Sequence, residues 1–247
     1  MLLTTAYFPP VEYFAVLARY SAVYLEACEK YQKQSWRNRC RILTANGPMD
    51  LNFPIVHDGK SLIKEVKVDY STPWLRRTEY AIDSAYYNSP FFEYYRDELF
   101  ATLDAQPETL WELNLSIIRF FCRKIGINPE IIETKIFVAP AAACSRGESE
   151  DSREFAESQI PSISSDPTIP LRCMVPPLPC RGRHAPAGSM LQPGPEDFRY
   201  SIHPKLVSGD VAKPYWQVFR EKFGFVPGLS VMDLLFNEGP ESLSYLL

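Results

Sequence analysis

The chain has 247 residues, 46% of them hydrophobic and 13% aromatic, with a formal net charge of −4. That length and apolar fraction suffice for a buried core in one large domain, with or without an appendage. The acidic balance excludes a global basic field that would hold the chain on nucleic acid or an anionic membrane, so any anion site has to be local. The longest apolar runs, such as residues 116–122, are too short to cross a bilayer, and Met1-Leu2-Leu3 lacks the charged start of a signal peptide. A cytoplasmic location is therefore expected. Cys28, Cys40, Cys122, Cys144, Cys173 and Cys180 form no Cys-x-x-Cys pair, and His57, His184 and His203 lie far apart. No metal centre is expected, and the thiols read as reduced and mostly packed.

In chain order, residues 2–6 form an apolar, β-branched run that Tyr7-Phe8-Pro9-Pro10 stops, the prolines pre-setting the first turn of a helix. Val11, Phe14, Ala15, Leu17 and Ala18 recur at helical spacing, and Val23, Leu25 and Ala27 alternate through a second strand over residues 21–27. A strand-helix-strand opening of this kind begins an open α/β sheet, whose ligands gather beyond the strand ends. Over residues 36–43 alternation places Arg37, Arg39 and Arg41 on one strand face, with Trp36, Asn38, Cys40 and Ile42 on the other. Asn46-Gly47 signals a turn that Pro48 lengthens beyond two residues. Met49, Leu51, Phe53 and Ile55 alternate on the return, a turn follows at His57-Asp58-Gly59-Lys60, and Val66, Val68 and Tyr70 complete a three-stranded antiparallel meander.

Three helices come next. Thr72-Pro73 and Ser89-Pro90 each pair a capping residue with proline at the first helical position, and Pro107 opens the third less cleanly. The third, residues 108–125, buries Leu110, Leu113, Ile117, Phe120 and Phe121 and ends at Gly126; residues 131–138 read as a strand. Composition then shifts: residues 140–195 hold ten of the 22 prolines, with little apolar periodicity to offset their ordering entropy. A flexible insertion is expected there. Beyond it, residues 215–223 read as a helix with Trp216, Phe219 and Phe223 on one side and Gly224 closing it. Ser230 and Asp233 form a capping box for residues 231–236, and Pro240 starts a terminal helix. The fold class that results is α/β: a Rossmann-like three-layer core with an antiparallel β-meander and a helical C-terminal part. Residues 1–138 form the α/β domain, 139–195 the Pro/Ser/Arg-rich insertion, and 196–247 a helical segment packing on the first domain.

The arginine strand is the most informative constellation. Guanidiniums at every second strand residue stand about 7 Å apart, close enough for two to share one phosphate or carboxylated sugar. Tyr31, Gln32, Lys33, Gln34 and Trp36 add donors and flat rings just upstream, and the same pattern also suits stacking of single-stranded nucleic acid, which the acidic balance disfavours. The competing reading is a solvated sheet face with salt bridges to carboxylates such as Asp50 or Asp69. At the first strand-to-helix junction, Pro9 and Pro10 remove the donors a phosphate loop would use, which excludes a Walker or dinucleotide fingerprint. Arg199 and His203 open the ordered tail, and His203 is the histidine to consider as an acid or base. Spacing assigns no Ser-His-Asp or Cys-His set.

The sequence resembles the WbqC-like protein family. The resemblance is carried by Ala6-Tyr7-Phe8-Pro9-Pro10 with Tyr13-Phe14, Tyr31-Gln32-Lys33-Gln34-Ser35-Trp36-Arg37-Asn38-Arg39 with Arg41-Ile42, and Ser89-Pro90-Phe91-Phe92-Glu93-Tyr94-Tyr95. Ser201-Ile202-His203-Pro204-Lys205, Gly224-Phe225-Val226-Pro227-Gly228-Leu229-Ser230, Asp233-Leu234-Leu235-Phe236-Asn237 and Gly239-Pro240 complete it. Many relatives begin the first motif with Gln-Pro-Tyr-Phe where this chain has Thr5-Ala6-Tyr7-Phe8, so a role of that glutamine is not inherited. The resemblance implies an association with bacterial O-antigen or other surface-polysaccharide biosynthesis, without a settled reaction. With the arginine strand, it leads to the expectation of a cytoplasmic transferase or modifying enzyme for a nucleotide-linked sugar or other anionic small molecule. His203 is the catalytic candidate. Tyr7, Tyr31, Lys33, Trp36, Arg37, Asn38, Arg39, Arg41 and Arg199 are the binding candidates; no metal or cofactor is assigned. The alternative is a non-catalytic interaction protein whose partners are other polysaccharide-biosynthesis proteins.

Overall fold

In the computed structural model, which describes residues 1–56, 61–138, 196–205 and 213–247, the opening apolar run forms β1 (Leu2–Leu3). The prolines then release the chain into α1 (Val11–Arg19), which begins directly after Pro10. Helix α1 returns it to β2 (Ala22–Leu25), parallel to β1 with Leu2 opposite Tyr24. A later strand, β7 (Glu130–Glu133), lies parallel on the other side of β2, with Val23 opposite Ile131. The three carboxyl ends, at Thr4, Glu26 and Thr134, therefore share one edge of the sheet. On the outer side of β1, Leu2 donates to Glu196 O at 2.8 Å and Phe198 donates back to Leu2 O at 2.9 Å, which ties the tail to the sheet.

The chain is a mixed α/β protein with a parallel sheet and a helical C-terminal part. The expected Rossmann-like three-layer core does not emerge from the described strands: three strands of two to four residues offer too little face for two helical layers. The apolar core instead lies largely among helices. Phe14 of α1 and Phe8 pack edge-on against Phe121 of α4 (Leu110–Ile125), at centroid distances of 5.9 and 6.1 Å. Tyr86 of α2 (Trp74–Tyr86) and Phe92 of α3 (Phe92–Asp104) meet Phe236 of α6 (Val231–Glu238) at 5.2 and 5.1 Å. Each such ring taken out of water contributes roughly 1.5–3 kcal/mol before ordering costs.

The meander also takes another form. β3 (Arg39–Thr44) pairs with β4 (Gly47–Asn52), and β5 (Ile55–Val56) pairs with β6 (Lys67–Val68), as two separate antiparallel ladders. Phe53 turns into the core with no exposure, and Pro54, which has no N–H to give, interrupts the ladder between β4 and β5. The β3–β4 loop has just two residues, Ala45 and Asn46, because Thr44 lies opposite Gly47. Pro48 does not lengthen it, since a two-stranded ladder is all edge and tolerates proline where the N–H would face outward. The turn at His57-Asp58-Gly59-Lys60 and the insertion at 139–195 lie outside the described residues.

Helix α4 starts at Thr109, whose hydroxyl accepts from Glu112 N at 3.2 Å while Thr109 N donates to the Glu112 carboxylate, and it ends on Gly126 at φ 85°. The starts of α2 and α3 carry no side-chain cap, contrary to the roles expected of Thr72 and Ser89. The helix expected over residues 215–223 is confined to α5 (Arg220–Phe223). Tyr215 and Gln217 lie outside the helix, held by Asp233 and by a pair of 2.9 Å hydrogen bonds with Val226. Ser230 caps α6 by accepting from Met232 N at 3.3 Å; Asp233 does not complete a box but accepts from Tyr215 Oη at 2.7 Å. A single 3-10 turn, Gly239–Glu241, leads into α7 (Ser242–Leu246).

Candidate functional site

The site is built where β2 and β7 end. Past Leu25 the backbone delivers Glu26 and Glu29, both buried, into a set of charges also supplied by the 31–41 stretch and by the tail. Glu26 accepts from Thr134 Oγ1 at 2.7 Å, from the backbone N–H groups of Cys28 and Val138 at 3.0 Å each, and from Arg199 Nη1 at 3.1 Å. Arg199 also grips Asp197 through Nε at 3.0 Å and Nη2 at 2.7 Å, between the rings of Phe137 and Tyr200. Its guanidinium is fully sequestered, so Arg199, expected to touch substrate, is a clamp joining the tail to the sheet.

Arg37 departs from the expected row of three. It precedes β3, is buried, and makes a bidentate pair with Glu29 through Nε at 2.8 Å and Nη2 at 2.5 Å. Its carbonyl accepts from Asn114 Nδ2 of α4 at 2.8 Å, which fixes the backbone as well. Burial pushes the Glu29 carboxyl upward, opposed by the fork of Arg37 and reinforced by the neighbouring Glu26. A buried guanidinium demands a partner, and here that demand outweighs strand alternation.

Arg39 and Arg41 do share a face of β3, and both turn to Asp50 of β4, at 3.6 and 2.7 Å. Asp50 is thus the partner that the salt-bridge reading expected. Two carboxylates, Glu29 and Asp50, answer three guanidiniums. Arg41 also lies over the Trp36 ring at 5.7 Å. Tyr31 Oη donates to Asn38 Oδ1 at 2.9 Å, and Asn38 Nδ2 donates to Phe53 O at 3.1 Å, so these two candidates stand together beside the arginines. Burial raises the phenol of Tyr31, and Arg37 and Arg39 act against the rise.

From the other end of the chain, His203 falls under the electrostatic influence of Arg37. Its imidazole is held below its ordinary range by burial, then by the positive charges of Lys205 and Arg37. Arg37 is thus within electrostatic reach of both Tyr31 and His203, residues separated by most of the chain, with Arg39 and Lys205 adding positive charge.

Tyr7 and Trp36 are not pocket walls. Tyr7 is fully buried, edge-on to Phe8 and Phe53 at 4.6 and 4.7 Å, and Trp36 is buried while its carbonyl accepts from Tyr7 N at 2.8 Å. Their apolar rings are worth more inside than lining a wet cleft. Lys33 is exposed, in a turn where Gln34 takes φ 58° and Ser35 Oγ donates to Gln32 O at 2.7 Å. Phe8, in the first motif, also takes a positive φ, 41°, a conformation that a packed backbone has to impose on a non-glycine residue. Glu26, Glu29 and Asn114 were not anticipated; the spacing of Glu26 and Glu29 directly beyond a strand end is the signal that could have found the first two. Among the described residues no group of His, Cys, Asp and Glu is arranged to hold a metal ion, and no helix is long and apolar enough to cross a membrane.

Fold and site together define a mixed α/β protein with a charged cluster at the carboxyl edge of a short parallel sheet. The chain belongs to the WbqC-like protein family, whose model matches residues 5–146. It is 24% identical over 243 residues to the uncharacterized protein Rv1507c of Mycobacterium tuberculosis, a match covering 97% of this chain and 94% of that protein. No solved structure matches significantly.

Proposed function

We propose that this protein is a cytoplasmic enzyme of bacterial surface-polysaccharide synthesis of the O-antigen type, a transferase or modifying enzyme whose substrate is a nucleotide-linked sugar. Its phosphates would lie over the 31–41 stretch, facing Arg39, Arg41 and Lys205, with Tyr31 and Asn38 at the side. The observation that carries the reading is that Arg39 and Arg41, on one face of β3, share the single carboxylate of Asp50, while Arg37 acts on both Tyr31 and His203. Asp50 alone answers the two partly exposed guanidiniums of Arg39 and Arg41, and guanidinium forks suit phosphate geometry. A site of this kind positions its ligand and stabilises charge rather than supplying a nucleophile.

The test is a thermal-shift panel of nucleoside-diphosphate sugars on the parent protein and on Arg39→Glu. At least one ligand should raise the parent's Tm by about 5 °C near saturation, and the variant should lose most of that rise. No shift with any ligand, or equal shifts in both proteins, contradicts the proposal. The second reading, a non-catalytic interaction protein, draws support from the exposed Tyr80, Tyr87 and Tyr94 on and beside α2 and α3, and a silent panel would leave it in front.

A further inference from the structure

His203 sits in a turn whose backbone is fixed on both sides, and its ring accepts one backbone hydrogen bond. Arg199, four residues earlier, is clamped to Glu26 and Asp197. The turn that follows is closed by Ser201 Oγ donating to Phe198 O at 3.1 Å and Ile202 N donating to the same carbonyl at 3.4 Å. Pro204, buried, then fixes the backbone, and Lys205 N donates to His203 Nδ1 at 3.3 Å. An imidazole nitrogen that accepts an N–H bond carries a lone pair, so the proton of the neutral ring is on Nε2. The charged groups acting on the ring, Lys205 from its own turn and Arg37 from the 31–41 stretch, are both cationic and oppose a second proton. With the Nδ1 lone pair already used, the ring offers its surroundings a donor and no acceptor.

We propose that His203 is a fixed, neutral hydrogen-bond donor whose Nε2–H binds a phosphoryl oxygen of the nucleotide-linked sugar, and that it is not the base it was expected to be. This rests on the reading of the site given above. A neutral donor suits this position: near cations it favours anionic oxygen without adding a further positive charge, and it strengthens as negative charge develops on that oxygen.

The experiment uses the full chain labelled with 15N-histidine, which carries only three histidines. His203→Gln identifies the His203 signals by their loss. Long-range proton–nitrogen spectra at pH 7.5 should show the Nε2-protonated tautomer, and inorganic pyrophosphate should shift the Nε2 resonance. His203→Gln, whose amide also presents a donor, should bind pyrophosphate within about threefold of the parent, and His203→Ala roughly tenfold more weakly. An Nδ1-protonated or doubly protonated ring in the unliganded protein overturns the inference while leaving the phosphate site standing if pyrophosphate still binds. Pyrophosphate binding that leaves His203 unmoved overturns it as well. A protein that binds no pyrophosphate, whatever its tautomer, overturns the site reading and this inference with it.

Discussion

Asp233 sits fully buried near the start of α6, hydrogen-bonded to Tyr215, and burial pushes its carboxyl up to about 7 against the opposing effect of Tyr215, Tyr86 and Gln217. A carboxyl whose folded value is raised contributes stability that is complete below its unfolded value, near 3.8, and is lost as pH rises through about 7. Over that window the loss is on the order of 1.4 kcal/mol per pH unit. Asp233→Asn keeps the shape without the ionisation. The variant should therefore gain on the parent as pH rises from 5 to 8, by a few kcal/mol in denaturant titrations at the upper end; curves that stay parallel over this range contradict the assignment. Asp233 also shows what sequence reading misses at this scale: Ser230 and Asp233 have the spacing of a capping box, but nothing in the spacing announces that Tyr215 will claim the carboxylate. Arg37 teaches the same lesson, since its partner Glu29 is met across a turn and not along a strand.

At the scale of elements, helices with their own signals were readable. The apolar positions of α4 recur at helical spacing, its end at Gly126 needs the left-handed backbone that glycine adopts without strain, and both features are local. Its start was less plain: attention to Pro107 passed over Thr109-x-x-Glu112, the true capping box. Thr109→Ala should cost about 1 kcal/mol in chemical denaturation without altering ligand binding, and a change below a few tenths would remove the box from the account. Alternation predicts strand from residue 36, three residues before β3 begins, because alternation of charge does not mark where ladder pairing begins. β3 begins at Arg39, where Asn52 provides a partner. Tyr215 and Trp216 read as helical for a similar reason, the aromatic period outvoting a tertiary contact that holds the segment outside the helix.

At the scale of the molecule, the parallel sheet gathers its strand ends on one edge, and Glu26 fastens Thr134, Val138 and Arg199 there. The opening strand-helix-strand and the parallel pairing were legible from the sequence, as was the gathering of polar residues in the 31–41 stretch. The reach of Arg37 to His203 was not, because it depends on where the tail docks against β1. Whether phosphate binds between the arginine strand and His203 is decided by a crystal structure of the chain with a bound nucleoside-diphosphate sugar. The account predicts phosphate oxygens at about 3 Å from Arg39 or Lys205 and from His203 Nε2. Phosphates bound on any other face, with these side chains left untouched, would contradict it.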